Sequence, residues 1–241
     1  RPAVRRVRLA GGRDGSWHNM VDRAGDELRG IVAWCRERGV PTVFWNKEDP
    51  VHYATFLNAA GLFDHVFTTD IDRIEHYKAA LRHDRVWLLP FAVQPAAYHP
   101  IAGEDRRDAF LFAGAYYRRY PERTRDLESY MEHLPQLRPV DIYDRNLGGT
   151  DEAYMFPDSY RGSIVGGTLA PEEVPDAYRR YRYAINLNSV KQSQTMLARR
   201  IFELLASGTL TVSNDARAAR VLFGDLVVTT DSGGPEAVRR L

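Results

Sequence analysis

A single cysteine among 241 residues, Cys35, excludes an intrachain disulfide and any cysteine-based zinc cluster. It lies in the helical pattern Ile31-Val32-Ala33-Trp34-Cys35, which predicts a buried structural thiol. Excess charge is missing as well. Lys and Arg number 33 against 32 Asp and Glu, a net charge of +1, so nothing draws the whole chain toward nucleic acid or an acidic membrane. Local basic clusters must therefore answer to local anions. No apolar run approaches the roughly 18 residues of a spanning helix, and no signal-peptide pattern is present. A cytoplasmic protein without nucleic-acid partner or transmembrane segment is expected. Seven histidines fall outside His-x-x-x-His or His-Glu-x-x-His spacing, so no metal site is expected. Asp70-Ile71-Asp72 has a metal-like spacing but reads better as a strand-end turn capping the next helix. Repeats and low-complexity tracts are absent. The chain opens at Arg1-Pro2 and stops at Leu241, in a helix-like run after Gly233-Gly234-Pro235. A fragment lacking the first strands of its first sheet is expected.

What is present is strand–helix alternation, the sign of a parallel α/β sheet. In the first half strands are expected at Val4–Leu9, Thr42–Trp45, His65–Thr68 and Arg85–Leu89. Helices are expected near Val21–Arg38, His52–Ala60 and Asp72–Leu81. Proline and small residues between Pro90 and Pro100, then the polar stretch Gly103–Asp108, read as a linker. Alternation restarts with the strand Ala109–Ala113 and continues through Val140–Tyr143, Tyr183–Leu187, Thr209–Ser213 and Leu226–Thr229. Two Rossmann-like halves, residues 1–100 and 101–241, would face a cleft, where such folds place ligands.

Asn186 to Ser213 reads as strand, loop, helix and strand, with Gly208 ending the helix. On a helix starting near Thr195, Thr195, Arg199 and Glu203 are spaced i, i+4 and i+8 and share a face. Its N-terminus can receive an anion, and the Glu203 carboxylate can accept from ribose hydroxyls. The alternative for Arg199 and Glu203 is a surface ion pair. Ser193, Thr195 and Ser189 can donate to a phosphate or sugar, or merely cap and close loops. Asn186 and Asn188, unusual in a strand, are expected to have specific polar partners. After the Ala109–Ala113 strand, Gly114 permits close backbone approach, and Arg118, Arg119 and Arg123 are suited to phosphate oxygens. The alternative there is a solvated basic helix start beside Glu122 and Asp126. Tyr143 and Arg145, at the next strand end, can line a nucleotide pocket, or Asp144 and Arg145 can pair structurally. Lys47, Glu48 and Asp49 follow the Thr42–Trp45 strand: Lys47 can face phosphate, and Glu48 or Asp49 can orient or deprotonate a hydroxyl. Alternatively, Asp49 caps a helix that Pro50 opens. His52 is expected to be a surface or packing residue. Gly12, Asp14, Gly15, Ser16 and Trp17 form an early polar turn that can touch an acceptor.

Glu203-Leu-Leu-Ala-Ser-Gly208 resembles the Glu-Ala-Met-Ala-x-Gly element of GT-B glycosyltransferases of the retaining, glycogen-synthase-like type. The family's first glutamate would fall near Thr195, and this chain lacks it. Pro41–Pro50, Phe63–Thr69 and Pro90–Pro100 stand where that family has its late first-domain motifs. The stretches Phe44–Pro50, Phe112–Tyr117, Tyr143–Arg145 and Asn188–Glu203 are similar to the CgeB-like, spore-maturation group. The resemblance implies an acceptor-side first domain, a nucleotide-sugar-binding second domain, Glu203 on the donor ribose and a donor-diphosphate loop at Gly114–Arg123. It implies transfer of a sugar from a nucleoside-diphosphate donor to an unidentified acceptor, with retention and without a metal or other cofactor. A catalytically silent GT-B-like binding or scaffold protein, and a sugar-nucleotide epimerase, remain alternatives.

Overall fold

The computed structural model describes residues 24–103 and 105–230. The expected Val4–Leu9 strand, the Gly12–Trp17 turn, the helix start at Val21 and the Gly233–Pro235 end lie outside them. The chain divides between Pro90 and Phe91 into two compact units.

The first unit holds a parallel sheet of β1 (Val43–Asn46), β2 (His65–Thr68) and β3 (Val86–Leu88), in that order. Period-two alternation sets Phe44, Val66 and Val86 side by side in register. They are buried under Leu28 of α1 (Asp26–Glu37), Phe56, Ala59 and Ala60 of α2 (Tyr53–Ala60) and Tyr77 of α3 (Ile74–Leu81). The turn before α3 is built as its sequence predicts, with the Asp70 carboxylate accepting from Asp72 N at 3.2 Å. Two expectations fail. Cys35 is only half-buried, because α1 buries a single residue, Val32, too slight a contact to enclose a side chain one turn on. Asp49 is no helix cap: α2 begins at Tyr53 with His52 before it. His52 packs its ring 6.2 Å from Phe56.

The second unit is a six-stranded sheet, parallel throughout, in the order β6-β5-β4-β7-β8-β9. Its strands are β4 (Arg107–Gly114), β5 (Val140–Asp144), β6 (Ile164–Gly166), β7 (Tyr181–Asn186), β8 (Leu210–Asn214) and β9 (Val227–Thr230). The central strand β4 is apolar on both faces, as a sheet covered on both sides requires. Phe110 and Phe112 pack with Leu127, Tyr130 and Met131 of α4 (Pro121–His133). Ala109 and Leu111 pack with Ala177 and Tyr178 of α5 (Val174–Arg180) and Leu204 of α6 (Arg200–Ala206). A smaller cluster joins Leu197 and Ile201 to Ala218 and Ala219 of α7 (Arg217–Phe223). Gly208, at φ +67°, ends α6 as expected, and Arg106 donates to the carbonyls of Ser207 and Gly208 at 2.8 and 2.6 Å. Part of the expected linker belongs to this unit: Arg179 Nη1 donates to Ala97 O at 2.9 Å, and the Tyr98 and Tyr178 rings lie 6.1 Å apart.

Candidate functional site

Strand order reverses at β4, with β5 and β6 on one side and β7 to β9 on the other. Parallel sheets open a crevice beyond the strand C-termini at such a reversal. The segments that run into it are the loop after β4 and the stretch after β7.

The three arginines of the β4 loop have different fates. Arg118 donates through Nε to Glu152 O at 2.9 Å and lies 5.1 Å over the Tyr116 ring, so it staples the 152–155 turn. Arg119 stacks 4.8 Å over Tyr154 and is exposed. Arg123, on the first turn of α4, is 7% exposed and donates to Ala115 O at 3.2 Å. Burial first, and then the charge of Arg200, lower its pKa to about 10, still well above neutrality. Arg200, the first residue of α6, donates to Ala113 O and, at 3.3 Å, to the Tyr178 hydroxyl. Two guanidiniums thus grip the carbonyls on either side of Gly114. Neither forms an ion pair with a carboxylate of the described residues. Asp126, expected beside the arginines, is engaged by Lys191 at 2.6 Å and Asn214 at 2.7 Å. An added Cβ at Gly114 would lie 3.0 Å from the Phe112 ring and 3.4 Å from Arg200 Nη2, so the close approach needs glycine. Arg200 was not among the candidates, although its motif, Arg199-Arg200-x-Phe202-Glu203, was. Arg145 donates its backbone N–H to Gly114 O at 3.0 Å while its side chain stays exposed. The Tyr143 ring packs on Gly166, within 2.9 Å of where a Cβ would stand.

The stretch after β7 is pinned by buried polar groups. Asn188 donates through Nδ2 to Ser213 Oγ at 3.0 Å, and its Oδ1 accepts from Ala198 N at 2.9 Å. Asn186 Nδ2 also reaches Ser213 Oγ, at 3.0 Å. These asparagines therefore have the polar partners their sequence context predicts. Ser193 Oγ accepts from Thr195 N and Met196 N at 3.2 and 2.9 Å, the capping role weighed above. The expected helix from Thr195 does not form: α6 starts at Arg200. Side-chain acceptors hold the N–H groups of Thr195, Met196 and Ala198 before α6, so Thr195 lies off the helical turn on which Arg199 and Glu203 pair.

Glu203 is 5% exposed. Its Oε1 lies 2.8 Å from Arg199 Nε, whose side chain is 64% exposed. The Glu203 charge also acts on the nearby Tyr98 hydroxyl, and burial together with that charge raises the tyrosine's pKa to about 12. Tyr98 falls in the Pro90–Pro100 stretch of the sequence, and the structure puts it near Glu203.

In the first unit a second polar cluster sits at the C-terminal ends of β1 and β2. Asp49 is fully buried and accepts from Asn46 Nδ2 at 2.8 Å, Thr68 Oγ1 at 2.6 Å and Tyr77 OH at 3.3 Å. Burial raises its pKa to about 6 against the opposing hydrogen bonds from Thr68 and Tyr77. Glu48 and Lys47 are exposed on the same turn, which Asn46 Oδ1 braces by accepting from Glu48 N at 3.1 Å. The Lys47 ammonium lies 5.8 Å from the centre of the Trp45 ring. Among the described residues no three His, Cys, Asp or Glu side chains gather as a metal site would require, and no helix is long and apolar enough to cross a membrane.

Residues 123–241 match the sequence profile of the family described as glycosyl transferase-like. No curated protein matches the chain. Among solved structures it is similar to sucrose-phosphate synthase from Thermosynechococcus elongatus, at 12% identity, over 97% of this chain and 72% of that one, with a TM-score of 0.59. It is also similar to a UDP-forming α,α-trehalose-phosphate synthase from Burkholderia xenovorans (10% identity, 88% of this chain and 63% of that one, TM-score 0.53). The α,α-trehalose 6-phosphate synthase of Burkholderia multivorans stands alongside (12%, 88% and 61%, TM-score 0.54). The chain therefore spans less than two thirds of these trehalose-phosphate synthases. Similarity at such identities establishes the fold, an α/β arrangement of parallel sheets of the GT-B class.

Proposed function

We propose that this chain, which carries the enzyme domain of a glycosyltransferase, moves a sugar from a nucleoside-diphosphate donor to an acceptor hydroxyl, with retention and without a metal. The observation that carries the reading is the pair Arg123 and Arg200 around Gly114, at the point where strand order reverses. Two cations held by carbonyls, neither in an ion pair with a carboxylate of the described residues, form a seat for a doubly charged anion. The first turn of α4 adds its backbone dipole beside Arg123. The donor diphosphate takes that seat, and charge that builds on it as the glycosidic bond breaks is stabilised by groups already in place. Glu203 receives the ribose and holds the donor without attacking it. Tyr143, Arg145 and Asn188 shape the surroundings, Asn188 by fixing the backbone at Ala198.

On the acceptor side, Glu48 is better placed than Asp49 to orient or deprotonate a hydroxyl, because Asp49 has no exposed surface and its oxygens already accept three hydrogen bonds. Lys47, exposed near the Trp45 ring, offers its ammonium to phosphate. The Burkholderia xenovorans neighbour is named for forming UDP, which supports a uridine donor as the first to try. The motifs shared with the CgeB-like group support that subtype, and a cytoplasmic setting belongs to the same proposal. One observation favours binding without transfer: Thr195 stands where the family has its first glutamate. Analysis for a new glycoside separates the two.

The test is a thermal-shift screen of UDP, GDP, dTDP and CDP sugars, since a ligand stabilises the fold according to its affinity. Arg123→Ala should then weaken binding of the selected nucleoside diphosphate by about 1.5–3 kcal/mol, the scale of a charged hydrogen bond. A well-folded Arg123→Ala protein with parental affinity would remove the diphosphate seat.

A further inference from the structure

We propose that Arg199 is a counter-ion exchanged on donor binding: it neutralises Glu203 in the free protein and is drawn to the diphosphate when that anion binds, leaving the carboxylate to the ribose hydroxyls. The inference rests on the reading of Glu203 as the ribose acceptor.

A carboxylate at 5% exposure is costly to leave without a partner. Glu203 has the Arg199 ion pair and the nearby Tyr98 hydroxyl beside it in the free protein, and the two differ in kind. Tyr98 is half-buried, stacked near Tyr178 and fixed on the segment that Arg179 ties down through Ala97. Arg199 is 64% exposed, its side chain reaches Glu203 from the residue just before α6, and no other ion pair holds it among the described residues. Ribose hydroxyls must displace one of the two, and the solvent-facing guanidinium is the one that can leave. The carboxylate then keeps Tyr98 and accepts from the ribose. Arg199 lies one residue before Arg200, whose own guanidinium marks the end of β4. A freed Arg199 therefore swings on a short tether beside the seat of the diphosphate. The four residues from Arg199 to Glu203 rise about 6 Å at helical pitch, comparable to the step from diphosphate to ribose. Tyr98 is thus a positioning residue and Arg199 a residue that changes partners.

Calorimetry with three probes on the whole chain tests this. The first is inorganic pyrophosphate, which lacks ribose. The second is the tightest binder among UDP, GDP, CDP and ADP, and the third is its 2′-deoxy counterpart. Arg199→Ala should weaken pyrophosphate about tenfold, the low end for one charged hydrogen bond. The same variant should raise the ribo-over-deoxy preference at least about threefold, because the ribose no longer competes with a guanidinium. Glu203→Gln should show the opposite pattern: the ribo-over-deoxy preference falls to about one, while pyrophosphate binds as well as or better than to the parent. If Glu203→Gln abolishes the preference but Arg199→Ala leaves both quantities at parental values, the exchange is overturned and the ribose reading stands. If Glu203→Gln leaves the preference unchanged, or no nucleoside diphosphate binds, the ribose reading falls and the exchange with it. Melting temperatures of each variant exclude misfolding, and Arg199→Lys should restore pyrophosphate affinity in part.

Discussion

Asp49 shows how a single buried carboxyl can brace a turn while facing no solvent itself. Its oxygens collect donors from β1, β2 and α3, so it locks the turn that presents Lys47 and Glu48. The cost is a charge without solvent. Between the ordinary 3.8 and the folded value of about 6, the native state holds the proton more tightly than the unfolded chain does. Stability therefore falls as pH rises through that window, by up to about 3 kcal/mol for a shift of roughly two pH units. Above pH 6 no further loss comes from this group. Urea unfolding of the parent and of Asp49→Asn between pH 4 and 7 isolates the effect. The difference in stability between the two proteins should change by about 2–3 kcal/mol across the window, with the parent gaining relative to the variant at low pH. A flat difference would mean that the carboxylate is solvated after all.

At the level of elements, β4 and its neighbours follow from composition. A run such as Ala109-Phe110-Leu111-Phe112-Ala113 can only be a strand buried on both faces, and the hairpin-free spacing to Val140 and Tyr183 requires parallel crossovers. β2 lies within the residues expected for it, His65–Thr68. The stretch before α6 was illegible for a definable reason. Residues Thr195–Arg199 have adequate helix propensity, and the Ser193 cap on Thr195 and Met196 is local and legible. The Ala198 N–H, however, is held by Asn188 Oδ1 from across the loop, and such a non-local acceptor is invisible to local pattern. The same limit hid which arginine turns inward. Arg118, Arg119 and Arg123 look alike in sequence, and only the Glu152–Met155 turn and the carbonyl of Ala115 tell them apart. Gly114 was readable as a point of close approach, and its environment makes a quantitative expectation. Gly114→Ala places a Cβ against Phe112, which is fully buried. It should cost about 1–3 kcal/mol of stability, as overpacking typically does, and should lower nucleoside-diphosphate affinity by shifting Arg200. Denaturant titration and calorimetry on the same preparation would read both. A variant as stable and as tight-binding as the parent would show that Phe112 and Arg200 have room to yield.

On the scale of the whole molecule, the two units have unequal chemistry. Arg123, Arg200, Glu203, Arg199 and Tyr98 all belong to the unit that begins at Phe91. That unit contains the complete six-stranded sheet of the described residues, with clusters on both of its faces. Residues 91–241 expressed alone should therefore fold and bind a nucleoside diphosphate within about threefold of the full chain, which corresponds to roughly 0.6 kcal/mol. Sequence composition placed the division ten residues later, where the prolines end, and the two choices have different consequences. A fragment of residues 101–241 loses the Tyr98 ring from its place near Tyr178, the carbonyl that Arg179 binds and the hydroxyl on which the Glu203 charge acts. Removal of a half-buried aromatic side chain and a hydrogen bond should lower stability by about 2–4 kcal/mol. The nucleoside diphosphate should bind more weakly as well, because Glu203 keeps only the exposed guanidinium as its partner. Melting temperatures and calorimetry on the two fragments, side by side, decide it. Equal stability and equal affinity would make residues 91–100 a plain connector. A stable longer fragment with a weakened shorter one makes them part of the donor-binding half, holding Glu203 in place from outside the sheet.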